Sequence, residues 1–172
     1  SEYDEKNHIG FWLIDASLDL KQAQSLLSAI RHQLVPNLYL RPIIFLVQSH
    51  EMDADLKHSG CDSVIYQNKD LDVQVSTLIS KFEHTNQWID GLPNSYKASD
   101  SDLIFRTLRL IVSRNNEVSP IMTTSSMSGF VYPLLESFVH KNDNNFLQVL
   151  DYLEMQKFIV GSFVSRCYYC CQ

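Results

Sequence analysis

Two short apolar runs constrain this chain more than any other feature. Residues 9–15 (Ile-Gly-Phe-Trp-Leu-Ile-Asp) and residues 43–47 (Ile-Ile-Phe-Leu-Val) are continuous rather than alternating in hydropathy. Runs of this length suit strands buried on both faces, as in parallel sheets covered by helices. Between them, Leu20, Ala23, Leu26, Leu27, Ile30 and Leu34 recur at helical spacing, and Pro36-Asn37 ends the stripe. Arg41-Pro42 introduces the second run. A short helix over 52–58, closed by Gly60 as its C-cap, a third strand over 63–66 and an amphipathic stretch over 71–82 follow. The order βαβαβα, with every connection a crossover, predicts a parallel sheet with helices on its faces and right-handed crossovers. Three strands make a narrow sheet with two edges, so extra cover from the second domain or from another chain is expected.

Residues 84–99 contain Gly91-Leu92-Pro93-Asn94-Ser95, a turn-rich composition that reads as a linker. The expected division is therefore an α/β domain over 1–90 and a smaller, mainly helical domain over 91–172. In the latter, Ser99 and Asp102 resemble a capping box, and Leu103, Ile104, Leu108, Ile111 and Val112 mark one helical face that Asn115-Asn116 ends. Residues 117–128 read as extended or irregular. Pro133 suits the first turn of a helix over 134–140, and Asn145 can cap a helix over 146–157. Residues 158–165 read as a strand or hairpin arm containing Gly161. A helix followed by such an arm has a winged-helix look, and the chain then runs into the knuckle Cys167-Tyr168-Tyr169-Cys170.

Composition excludes several classes. With 45% hydrophobic and 20% charged residues, the 172-residue chain is ordinary globular material. Its net charge of −6 is uneven: residues 1–94 carry 13 acids against 7 Lys and Arg, and residues 95–172 carry 7 of each. Neither part has the basic surplus that binding a phosphate backbone requires, so nucleic acid is not an expected partner. No apolar run approaches the ~20 residues that span a bilayer, and none is flanked like a signal peptide. A soluble, cytoplasmic protein is expected. Because the chain opens at Ser1 and stops beside a cysteine pair, it is read as a piece of a longer protein.

The most suggestive acid is Asp15, at the carboxyl end of a buried strand, where ligands of open α/β sheets collect. Leu13-Ile14-Asp15, Ser28-Ala29-Ile30-Arg31, Pro42 through Val47 and Ser59 through Ile65 together resemble the last three strand–helix units of a response-regulator receiver domain, over about residues 9–82. The resemblance implies that Asp15 occupies the phosphoacceptor position. Phosphoryl transfer to an aspartate needs a divalent metal to offset charge. The acidic pair that would hold it belongs to a strand with no counterpart here. Val47 stands where a hydroxyl is expected, Gln67 stands in place of the lysine, and Lys69 is displaced by two positions. The reading is a vestigial phosphoacceptor in an inert scaffold. Phosphorylation at Asp15 is the competing enzymatic reading.

Cys167-x-x-Cys170 is the strongest chemical motif. Two thiolates at this spacing can grip one edge of a tetrahedral zinc at ~2.3 Å, but a closed site needs two more ligands. Cys171 should point away, and Cys61 reads as core filler beside a strand. Redox work and a metal-free structural role are the alternatives. Ser128-Gly129-Phe130-Val131-Tyr132-Pro133, Leu150 through Glu154, Phe163-Val164 and the cysteine pair together resemble the thaumarchaeal output domain family, over about residues 97–172. That resemblance implies a signalling module found with receiver-like domains and upstream of diguanylate cyclase (GGDEF) domains. Ser128, Gly129, Tyr132 and Pro133 carry the family motif, and zinc is the implied cofactor. The combined expectation is a non-catalytic regulatory fragment acting through other domains of the same full-length chain and through a homodimer. The alternative is a transcriptional regulator reading DNA with the winged-helix-like segment. Against it, Asp151 and Glu154 on that helix would face phosphates, and Arg106, Arg109 and Arg114 read as solvated surface or ion pairs. The six histidines show no metal-ligand spacing, and the Thr123 to Ser126 run lacks a nucleophile elbow.

Overall fold

A computed structural model describes residues 10–48, 56, 58–92, 102–115, 118–124, 129–138 and 146–161. Three strands form one parallel sheet in the order β1 (Trp12–Asp15), β2 (Ile43–Val47), β3 (Ser63–Tyr66). Trp12 lies opposite Ile43 and Ile44 opposite Ser63. The central strand explains its own composition. Ile43, Phe45 and Val47 face one side with Ile14, Ala16, Ala23, Leu27 and Leu56. Ile44 faces the other side with Ile65, Leu78 and Phe82. A strand buried on both faces has no use for polar residues at alternate positions, so its run is unbroken. Each fully buried side chain of this size contributes roughly 1.5–3 kcal/mol.

One helix covers each face. Helix α1 (Leu20–Arg31) starts where the Asp19 carboxylate accepts from the Gln22 N–H at 3.0 Å, and it buries Ala23, Leu27 and Arg31. The stripe predicted to run to Leu34 stops at Arg31, and Pro36 opens a one-turn helix, α2 (Pro36–Tyr39), that the hydropathy pattern does not announce. Helix α3 (Leu71–Asp90) covers the opposite face, capped by Asp70 and buried at Leu78, Phe82, Thr85 and Ile89. It runs eight residues beyond the predicted end at Phe82, into the first part of the expected linker, and stops just before Gly91. The polar residues His84, Asn86 and Gln87 hide a helical stripe that Thr85 and Ile89 continue. Of the helix expected over 52–58, Leu56 and His58 are described, and Leu56 is buried.

The chain divides into two compact units, Ser1–His140 and Lys141–Gln172. The boundary expected at residues 90–91 therefore falls inside the first unit. That unit also contains α4 (Leu103–Ser113), the antiparallel pair β4 (Ile121–Met122) and β5 (Phe130–Val131), and α5 (Pro133–Glu136). Asp102 caps α4 through the Ile104 N–H at 2.8 Å, and Pro133 opens α5 as expected. The expected apolar face of α4 is only half buried: Leu103, Ile104, Leu108 and Ile111 are intermediate and Val112 is exposed, while the fully buried positions are Arg106, Thr107, Leu110 and Ser113.

The second unit contains α6 (Phe146–Met155). Lys157 takes a left-handed conformation with φ 61°. Its N–H bonds the Glu154 carbonyl, and the Phe158 N–H bonds the Leu153 carbonyl, each at 2.9 Å, a Schellman-type stop. The strand expected over 158–165 does not begin within residues 158–161, which bend at 158–159 and are irregular at 160–161. Residues 162–165 lie outside the described residues.

Gly60 shows how tightly the loop before β3 meets the later segment. It has φ +79°, and a Cβ there would lie 2.7 Å from the Pro133 carbonyl oxygen and 3.0 Å from Ser137 Cβ. Both the backbone angle and the close approach require glycine. Gly60→Ala should cost about 2 kcal/mol or more in urea unfolding. Gly10→Ala, where the nearest atom is 3.8 Å away, should stay within about 0.5 kcal/mol. Equal effects would show that the contact with Pro133 carries no weight.

Candidate functional site

The two ends of the sheet differ sharply in chemistry. At the carboxyl end, Asp15 closes β1 with an exposed carboxylate that accepts from the Ser17 N–H at 2.9 Å and from the Ser17 hydroxyl. The hydroxyl bond, more than the backbone one, holds its pKa below the ordinary value. Its work is that of a turn former. Gln67, after β3, is exposed, and Lys69 places its Nζ 4.8 Å from the centroid of the Tyr66 ring. Among the described residues no group of three or more His, Cys, Asp or Glu side chains is placed to hold a metal ion.

The amino end holds a buried ionic centre built on Asp62, the residue before β3. One carboxylate oxygen accepts from Arg31 Nη2 at 2.6 Å and from the Ile43 N–H at 2.8 Å. The other accepts from Arg114 Nε at 2.6 Å. The three side chains are almost completely shielded from solvent. Burial alone would raise the Asp62 pKa, but Arg114, Arg31 and the Ile43 N–H outweigh it and hold the carboxyl below its ordinary range. The Arg31 guanidinium is pushed down to about 10, chiefly by burial and also by the like charge of Arg114, with Asp62 opposing.

Further guanidinium donors are used on backbone carbonyls left over where α1 and α2 end, although Arg31 Nε and Arg114 Nη2 are buried without a partner. Arg31 donates to Tyr39 O and Arg41 O, Arg114 to Leu40 O, and Arg106 to Arg31 O and Gln33 O. These carbonyls carry the negative ends of two helices, so cations are favoured there twice over. Aromatic rings close the centre. Tyr39 and Phe138 meet edge to face at 5.7 Å between centroids. The Arg106 guanidinium lies 4.3 Å from the Tyr39 centroid and that of Arg31 lies 5.3 Å from Phe138. Alongside, Arg41 pairs with Asp90 and donates to Asn86 at 3.1 Å, tying the end of α3 to the start of β2. Thr85 donates to Ser113 O at 2.7 Å, tying α3 to α4.

Of the expected site residues, Asp15 stands alone at the carboxyl end. Gly129 has φ +75° in the β4–β5 turn, with no atom within 4 Å of a Cβ placed there. Tyr132 caps α5, its N–H bonded to a Glu136 carboxylate oxygen at 3.0 Å, and Pro133 is the residue against Gly60. Ser128, Cys167 and Cys170 lie outside the described residues. Arg106 and Arg114, read as surface or paired, are interior: Arg106 bonds carbonyls and Arg114 is an ion-pair member. Sequence reasoning missed Arg31 and Asp62. The one available signal was a charged residue at the third position of the Ala23–Leu27–Arg31 stripe. Cys61 is a partly buried thiol whose pKa is raised chiefly by burial; it accepts from the Ser59 hydroxyl at 3.2 Å and packs against the core beside β1 and β2.

These features define a class, an α/β unit on a three-stranded parallel sheet with its buried charges at the amino end. No family model, curated protein or solved structure matches the chain.

Removing one partner of a buried ion pair strands the other, at about 3–5 kcal/mol. Asp62→Ala should lose stability on that scale in urea unfolding, whereas the exposed Asp15→Ala should lose under about 1 kcal/mol. Because the folded-state pKa of Asp62 is depressed, its contribution is complete above the unfolded carboxylate pKa of about 4 and is lost as pH falls through the lower folded value. The difference between parent and Asp62→Ala should therefore hold from neutral pH to about pH 5 and narrow below pH 4. A difference that grows on acidification would contradict the assignment.

Proposed function

We propose that this chain is a non-catalytic regulatory module acting by protein–protein contact and conformational relay. The observation that carries this reading is the separation of its charges. Among the described residues, the Asp15 carboxylate at the carboxyl end of the sheet bonds its own serine turn, while the ionic centre at the other end joins the sheet to α4. Phosphoryl transfer to Asp15 would need a cation to offset the charge of donor and acceptor. Relay instead needs an element whose position depends on the state of another. Arg106, Arg114 and Phe138 supply a route, since each touches the α1–α2–β2 connection from the later segment.

The receiver-like ancestry of residues 9–82 and the thaumarchaeal output resemblance of residues 97–172 belong to the same proposal. They imply other domains of a longer chain as partners, with a diguanylate cyclase as the implied output. Cys167 and Cys170 are proposed as half of a structural zinc site, since two thiolates at this spacing fit one edge of the tetrahedron. The bend at 158–159 and the exposed Asp151 and Glu154 on α6 give no support to DNA reading.

Incubating the chain with a small phosphodonor and Mg²⁺ should give no phosphoryl adduct by intact mass. An adduct on the parent that vanishes in Asp15→Asn would replace the relay reading with a phosphorylation switch. Phe138→Ala should speed amide hydrogen exchange across residues 31–41 more than in α3. Unchanged exchange there would remove the proposed route.

A further inference from the structure

The two edges of the sheet are treated differently. On β3, the Gln67 N–H bonds the Val47 carbonyl, so the neighbouring Tyr66 turns its backbone groups outward. The Gln74 side-chain amide meets both: its Oε1 accepts from the Tyr66 N–H and its Nε2 donates to the Tyr66 carbonyl, each at 2.9 Å. The amide imitates a neighbouring strand and blocks that edge.

Among the described residues the edge formed by β1 has no such block. The Trp12 N–H bonds Pro42 O and the Ala16 N–H bonds Leu46 O, so the even-numbered residues face β2. Phe11, Leu13 and Asp15 therefore turn their backbone groups outward, and among the described residues no strand pairs with them. Leu13 is 51% exposed although it sits in a strand with buried Ile14. Neither lysine nor proline guards this edge, and its only charge is Asp15 at the strand end. Open, apolar and unguarded strand edges are the ones that recruit another strand.

We propose that β1 pairs with β1 of a second copy, antiparallel across a two-fold axis through Leu13, giving one continuous sheet across the dimer. The backbone dictates the register. With Leu13 opposite its own copy as a hydrogen-bonded pair, Phe11 falls opposite Asp15 of the second chain, and the outward groups of all three residues are satisfied by on the order of six bonds. The two Leu13 side chains lie on the same face across the axis and shield one another. Each Asp15 faces a phenylalanine rather than its own copy, so no like charges are opposed. A second copy is thus the occupant that satisfies this edge by symmetry alone. The proposal gives a surface to the protein–protein contact invoked above. The two fail separately, because a monomer that takes no phosphoryl group leaves the relay reading standing.

Sedimentation of the full chain over the micromolar range tests it. The parent should dimerise, and Leu13→Lys should weaken the dimer at least tenfold while leaving the unfolding midpoint of the monomer unchanged, because position 13 is half exposed. Under oxidation, Leu13→Cys should give a peptide joining position 13 of both copies, since hydrogen-bonded antiparallel pairs sit about 5.5 Å apart at Cα, within disulfide range. Leu26→Cys, exposed on α1, should give no such link. A parent that stays monomeric, a dimer indifferent to Leu13→Lys, or a dimer lost in Leu13→Lys with no link at position 13 would each overturn the proposed pairing.

Discussion

The Asp62 carboxylate holds this fold together at the point where it is most exposed to failure. A three-stranded sheet has little interior, and the connection from α1 through α2 to β2 must pass beneath it with its carbonyls turned inward. Two guanidiniums and one backbone N–H converge on Asp62. Two positive charges on one buried carboxylate would be an unfavourable sum in isolation. Here the surplus is spread over carbonyl oxygens at the ends of α1 and α2, whose dipoles already favour cations. The arginines and the carbonyls therefore solve each other's desolvation problem, and neither set is tolerable in the interior without the other.

That requirement explains the orientation of α4. By hydropathy the helix should bury Leu103, Ile104, Leu108, Ile111 and Val112. It turns Arg106 inward because the carbonyls of Arg31 and Gln33 need donors, and it delivers Arg114 to Asp62 and Leu40 at its end. An unsatisfied buried carbonyl costs about as much as a buried apolar side chain returns. Several such carbonyls outweigh the exposure of Phe105 and Val112. The same logic puts Phe138 over the guanidiniums, where a ring covers the charge without competing for its N–H groups.

What could be read from the sequence follows the same division. β2 and β3 fall where residues 43–47 and 63–66 placed them, β1 lies inside the run at 9–15, and the parallel order follows from the crossovers. Continuous apolar strands have few other solutions. The carboxyl-end position of Asp15 was equally visible. The ionic centre was not, because a buried arginine looks like a surface arginine in any pattern of hydropathy. Arg31 occupies a core position of α1 and Asp62 immediately precedes β3, and nothing in the hydropathy pattern marks either as a buried charge. The far end of α3 was lost for a related reason: Thr85 buries its methyl and bonds Ser113, which no apolar stripe records.

The placement of charge also bears on what the unit can do. In an open α/β sheet the carboxyl ends of the strands present the site where chemistry gathers, and the amino ends serve stability. Among the described residues, Asp15 at the first end is folded back on its own turn, and the second end holds nearly all the buried charge. Evolution of a reactive site tends to spend stability at the first end. This chain has instead concentrated its costliest groups where they fasten residues 103–138 to the sheet. A segment held by guanidiniums and ring stacking is held by directional contacts, and in a buried network such contacts strengthen one another. A joint of this kind would suit the relay proposed above, because relay requires two arrangements with different affinity for a partner.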